Sequence, residues 1–143
     1  MDDIIGLTDI DAIEFLKLHQ PMPADYDITQ ELIDKYDDVR LYFVAYPDKN
    51  AIPLLMRSFG SGDGFGVYQL VEDVFYKCDF NDVIENIAII LEDTSTIKSV
   101  RYWVTQLAVT FSDKRLINGL NISLRSDDED ISFVAASALE FIE

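Results

Sequence analysis

The stretch "VRLYFVAY", residues 39 to 46, decides the fold. Its branched and aromatic residues favour an extended strand, and it is apolar on nearly every side. Read as a strand, it makes the protein mixed; read as a helix, it leaves the chain all-α. A strand needs a partner, and the segments on either side carry helical spacing, so helix is the expectation and strand the alternative.

Outward from this stretch, apolar residues recur at steps of three and four, which marks one buried stripe per helix. Ile52, Leu55, Met56 and Phe59 form one set, and Val67, Leu70, Val71, Val74, Phe75 and Cys78 the next. Further sets are Val83, Ile87, Ile90 and Leu91; Ile97, Val100, Val104, Leu107 and Phe111; Leu116, Leu120 and Leu124; and Ile131, Val134, Ala135, Ala138, Leu139 and Ile142. Cap chemistry separates them: Asn81 or Asp82, Thr94 or Ser95, and Ser112 or Asp113 are candidate N-caps. The four acids of "RSDDED" (125–130) suit the positive end of the last helix, and Pro53 is tolerable in a first helical turn.

The helices pair, and the pairs repeat. Val67, Val100 and Ile131 hold equivalent places about 33 and 31 residues apart, and Met56, Ile87 and Leu120 do the same in the first helix of each pair. Such a period predicts stacked helical hairpins, each unable to bury its apolar face alone. A less regular unit from Ile28 to Tyr36 and Asp38 to Tyr46 precedes them. The expected architecture is therefore an all-α solenoid of three to four short repeats in one domain, 1–143, with a capping helix and loop over 1–27 and stacked pairs over 28–143.

Composition narrows the function. Eleven Lys and Arg against 27 Asp and Glu give a formal charge of −16 and a pI near 4.1. Nucleic acid and anionic lipid require a basic footprint, so neither is an expected partner; a basic protein is. Solubility alone is the plainer use of such charge. The one cysteine, Cys78, excludes an internal disulfide and a cysteine metal cluster. The acidic start "MDDIIGLTDIDAIEF" lacks a secretory signal's positive region, and no run reaches the ~20 apolar residues of a membrane span, so a cytoplasmic protein is expected.

No catalytic constellation emerges. The four alternating glycines of "SFGSGDGFGVYQLVED" (58–73) invite comparison with phosphate loops, but no Gly-Lys-Ser/Thr follows, the glycine spacing misses the dinucleotide pattern, and Asp63 would repel phosphate. The loop reads as a hinge joining helices 52–59 and 66–78. His19 is the only histidine, and Cys78 lies in phase with a buried stripe beside Asp79, which discourages a thiolate. "DDED" (127–130) lacks the glycine and alternating ligands of a calcium loop. Catalytic residues, metal and cofactor are expected to be absent, and the chain is not expected to be an enzyme.

What rises above this background is a combination of aromatics and acids. Counted from Val67, the outward positions carry Gln69, Glu72, Asp73 and Tyr76; the next repeat offers Tyr102, Thr105 and Gln106, and the earlier unit Tyr42 and Tyr46. Aligned second helices form the wall that stacked-hairpin proteins use for binding. Tyrosine supplies contact area with a hydrogen bond, and carboxylates meet Lys and Arg across an interface. These residues are the expected partner-binding set.

The closing segment "ISFVAASALEFI" resembles the second helix of a HEAT-like repeat, and "DVR" (38–40) and "VR" (100–101) resemble its Asp–Arg signature, with Arg40 and Arg101 at the repeat's arginine and Tyr68 and Ser132 in its place elsewhere. The stretch "IPLLMRSFGSGDGFGVYQLVED" is similar to the inter-helix region of small acidic HEAT-like immunity proteins of bacterial contact-dependent and polymorphic toxin systems. That resemblance implies a cytoplasmic inhibitor that covers a cognate basic toxin domain, expected to be a nuclease. A HEAT-like adaptor in a multi-protein complex is the alternative.

Overall fold

The computed structural model describes residues 7 to 142; residues 1–6 of the expected capping segment, and Glu143, lie outside the described part. Among the described residues all regular structure is helical: α1 (Asp9–Lys17), α2 (Gln30–Ala45), α3 (Ala51–Met56), α4 (Glu72–Phe75), α5 (Phe80–Glu92), α6 (Lys98–Thr110), α7 (Ile117–Leu124) and α8 (Glu129–Phe141), with 3₁₀ turns at Tyr68–Val71 and Lys114–Leu116. The chain divides into two compact units, residues 1–79 and 80–143.

"VRLYFVAY" is the C-terminal half of α2. The Thr29 hydroxyl caps this helix by accepting from the Leu32 N–H at 3.1 Å. Ile33, Tyr36, Val39, Arg40 and Phe43 are buried, whereas Leu41, which a strand would place on the same face as Val39 and Phe43, is 39% exposed. Pro47 ends the helix by forcing Tyr46 out of the helical region, to φ −130° and ψ 76°. The expected break between Tyr36 and Asp38 does not occur. Asp37 instead bonds Arg40 one turn ahead, at 2.7 Å, within a single continuous helix.

In the first unit α1 packs on α2 and α3, and α2 on α4. Tyr36, Phe43, Phe59, Tyr68 and Phe75 supply its bulkiest buried side chains; full burial of a large apolar side chain contributes about 1.5–3 kcal/mol. Ser58 gives its proton to the Leu55 carbonyl at 2.6 Å, so the buried Tyr36 hydroxyl is the donor in its own 2.6 Å contact with Ser58. The expected helix over 66–78 is a correction. Only a 3₁₀ turn and the single turn α4 form, and Tyr68, Val71 and Val74 go inside at the three-residue period of a 3₁₀ helix. Leu70, expected in the stripe, is 40% exposed.

In the second unit α5 packs on α6 and α7, and α8 on α6 and α7. Its core comes from the expected stripes, among them Val83, Ile87, Leu91, Val104, Leu120, Ile131, Ala135 and Ala138, although Ile97 is 49% exposed. Asp113 caps the 3₁₀ turn by accepting from the Arg115 N–H, and Asp128 caps α8 through the N–H groups of Asp130 and Ile131. The other expected caps are not used. α5 starts at Phe80, before Asn81 and Asp82, and α6 starts after Ile97, while Ser95 bonds the Asp93 carboxylate in the preceding turn.

Candidate functional site

The glycine loop does receive an anion, and it is the protein's own. The Asp25 carboxylate accepts from the N–H groups of Asp63 at 3.0 Å and Gly64 at 2.9 Å. Backbone bonds from Met22 to Ser58 and from Asp25 to Ser61 hold residues 22–25 along the loop. Gly62, Gly64 and Gly66 take the positive φ that explains the glycine spacing, and Phe65 shares it at 55° while 48% exposed. The expected hinge is therefore a loop pinned to a neighbouring segment. Tyr68 lies beneath it, where burial pushes its phenol up to about 12.

His19 stacks on Phe15 with ring centroids 4.2 Å apart and holds the Phe15 carbonyl through Nδ1 at 2.7 Å. Cys78 is half-buried, its Sγ 3.4 Å from the Val74 carbonyl. Each is placed by packing and local bonding. Among the described residues no group of three or more His, Cys, Asp or Glu is placed to hold a metal ion, and no helix is long and apolar enough to cross a membrane.

Three patches collect the expected partner-binding residues. In the first, on α4 and its flanks, Gln69, Asp73 and Tyr76 are exposed and Glu72 half-buried, while Val71 and Val74 point inside. The Tyr76 hydroxyl donates to Glu72 at 3.1 Å; burial and the hydrogen bond to this carboxylate raise its pKa. Asp73 has a second role, standing 3.6 Å from the buried Arg40 guanidinium, which also bonds Asp37.

The second patch gathers Tyr42 and Tyr46, with ring centroids 5.0 Å apart, beside Asp9 and Asp48, whose charges help raise the Tyr42 phenol after burial. Asp9 and Asp48 line a groove of about 510 Å³ whose other walls include Ile10, Ile13, Pro53 and Leu54. Desolvation, then a hydrogen bond and repulsion from Asp48, hold the Asp9 carboxyl above its ordinary value. Sequence reasoning missed this groove, because its acids meet only through the packing of α1 on α3.

The third patch lies in the second unit. Gln106 donates to the Tyr102 hydroxyl at 2.9 Å, and both line a groove of about 310 Å³ with Val109, Asp130, Phe133 and Val134. Phe133 is 73% exposed on α8; its place outside the α8 stripe was the available signal. Thr105, expected outward, is a correction: it is fully buried and donates to the Arg101 carbonyl at 2.6 Å. Ser123 therefore donates to Thr105 at 3.1 Å while accepting from Arg101 at 2.7 Å. Arg101 also reaches the Asp93 carbonyl at 2.8 Å, and burial pulls its guanidinium pKa down against the Asp93 charge.

Compared with known protein families, curated proteins and solved structures, the chain matches none.

Proposed function

We propose that this protein binds a basic protein partner through tyrosine–carboxylate patches and catalyses no reaction. The observation that carries the reading is the pairing of surface tyrosine with acid on a chain of charge −16: exposed Tyr76 with Glu72, and half-buried Tyr42 and exposed Tyr46 beside Asp9 and Asp48. Such pairs combine contact area with electrostatic complementarity to Lys and Arg.

In its sharper form the partner is a cognate toxin domain, expected to be a nuclease, and the chain is the immunity protein that covers its basic substrate-binding surface inside the producing cell. The HEAT-like resemblance of "ISFVAASALEFI" supports this form, as does the adjacency of α5 with α6 and of α7 with α8, which suits two stacked hairpins. Attraction over long range speeds encounter, and a few desolvated contacts set the lifetime of the complex. The test is co-expression with the toxin domain encoded by the neighbouring reading frame. Rescue of growth is expected; continued killing with both proteins present overturns the immunity reading.

The adaptor reading draws on one observation, a separate groove on each compact unit. It requires two partners bound at once, whereas an inhibitor binds one; stoichiometry by analytical ultracentrifugation separates them.

A further inference from the structure

The groove between α1 and α3 joins apolar walls to acids at one edge. Ala12 and Leu16 use the inner face of α1 for the core, yet Ile10, 74% exposed, and Ile13 turn a second apolar face into the groove. Pro53 and Leu54 form the opposite wall, and Asp9 and Asp48 stand at its edge. Glu14 and Lys17 also line it but pair with each other at 3.7 Å, which leaves the two aspartates as its unpaired charge among the described residues. The Asp48 carboxylate accepts from the Asn50 N–H at 2.9 Å, so it is held in place at the start of α3.

We propose that this groove docks a short amphipathic segment of the partner, one that sets a Lys or Arg against the paired Asp9 and Asp48 and lays an aliphatic side chain against Ile10, Ile13 and Leu54. Charge complementarity selects this occupant. The neighbouring Asp48 carboxylate disfavours charge on Asp9 in the free protein, and a cation lying against both meets attraction from each. At about 510 Å³ the groove falls within the ~300–1,000 Å³ typical of pockets that enclose a ligand. An acidic apolar partner would meet two like charges, and an uncharged one would leave the aspartates facing each other across a drier space. The proposal rests on the reading of the chain as a binder of a basic protein, and it names where part of that binding occurs.

The test uses the full chain with isoleucine methyl labels and a short synthetic amphipathic helix of leucine and lysine, with a leucine–glutamine helix as the neutral probe, at physiological salt. The lysine helix is expected to shift the Ile10 and Ile13 methyl signals and the glutamine helix to leave them in place. Asp9→Asn with Asp48→Asn is expected to weaken binding about fivefold or more, as loss of an interface anchor does. Glu92→Gln with Glu140→Gln removes the same charge from exposed positions of the second unit and is expected to have much less effect. Because Ile10 is exposed, Ile10→Ser keeps the fold and is expected to weaken binding to a similar degree. Equal losses from the groove and control pairs overturn the groove while leaving the basic-partner reading intact. Equal binding of both helices overturns the role of the aspartates. Failure of the lysine helix to bind overturns both readings. Ile10→Ser converting a dimer to a monomer shows a second copy in the groove and overturns the proposal.

Discussion

Asp48 and Ser123 show how single side chains tie the surface and the core to measurable quantities. Asp48→Asn keeps an acceptor for the Asn50 N–H but removes the charge beside Asp9, so the raised Asp9 pKa is expected to fall toward its ordinary value in a carboxyl NMR titration. The stability effect has a definite sign. A carboxyl raised in the folded state contributes stability below its unfolded pKa and loses it as pH rises through the folded value. Asp48→Asn is therefore expected to stabilise the protein above that window and to leave stability unchanged below it, as chemical denaturation at two pH values would show. In the core, Ser123→Ala removes the acceptor of Arg101 and the donor to Thr105. It is expected to cost about 1–3 kcal/mol, the penalty of leaving buried polar groups unsatisfied. The outward phase of Glu72, Asp73 and Tyr76 was legible because Val71 and Val74 mark the inner face. Thr105 was not, because its hydroxyl satisfies itself on the Arg101 carbonyl and so behaves as a core residue.

At the scale of elements, segments with a clear stripe were legible, the short α3 and α7 among them, and the segment 66–78 was not. α5 and α8 carry enough periodic positions to fix both type and inner face, whereas α2 reads as two segments with a strand alternative and α6 hides Thr105; the burial of Arg40 and Arg101 within α2 and α6 is met by named partners. Between Gly66 and Cys78 the three-residue spacing of the 3₁₀ turn competes with the helical pattern, and tertiary burial of Tyr68 settles the phase. The loop before it offers a sharp contrast between two glycines. An added Cβ at Gly66 meets nothing within 4 Å, but its φ of 88° disfavours alanine, so Gly66→Ala is expected to cost about 1–2 kcal/mol. At Gly60 the same atom would stand 2.4 Å from the Met22 carbonyl oxygen and 2.7 Å from that of Pro23, contacts only a backbone shift relieves. Gly60→Ala is expected to destabilise more than Gly66→Ala and to separate residues 22–25 from the loop, read by urea unfolding and by amide exchange at Asp25.

Over the whole molecule the dominant fact is charge. With −16 on 143 residues, association with a basic partner is expected to slow as salt rises, because steering is screened beyond about 8 Å at physiological ionic strength. Stopped-flow rates across a salt series check this, and a flat response assigns the acidity to solubility. The helical class and most of the core were readable from spacing; the groove between α1 and α3 was not, since it arises from contacts distant in sequence. The central claim is that the tyrosine–carboxylate face of α4 meets a basic protein, and calorimetric titration of the basic domain proposed as its partner tests it most directly. Glu72→Lys with Tyr76→Ala is expected to weaken binding about tenfold or more, with the protein still folded because neither side chain belongs to the core and substitutions away from the core usually cost within about 0.5 kcal/mol. Val74→Asp is expected to unfold the protein outright, since it sets an unpaired carboxylate in the core. Full-strength binding by the folded double variant would contradict the account.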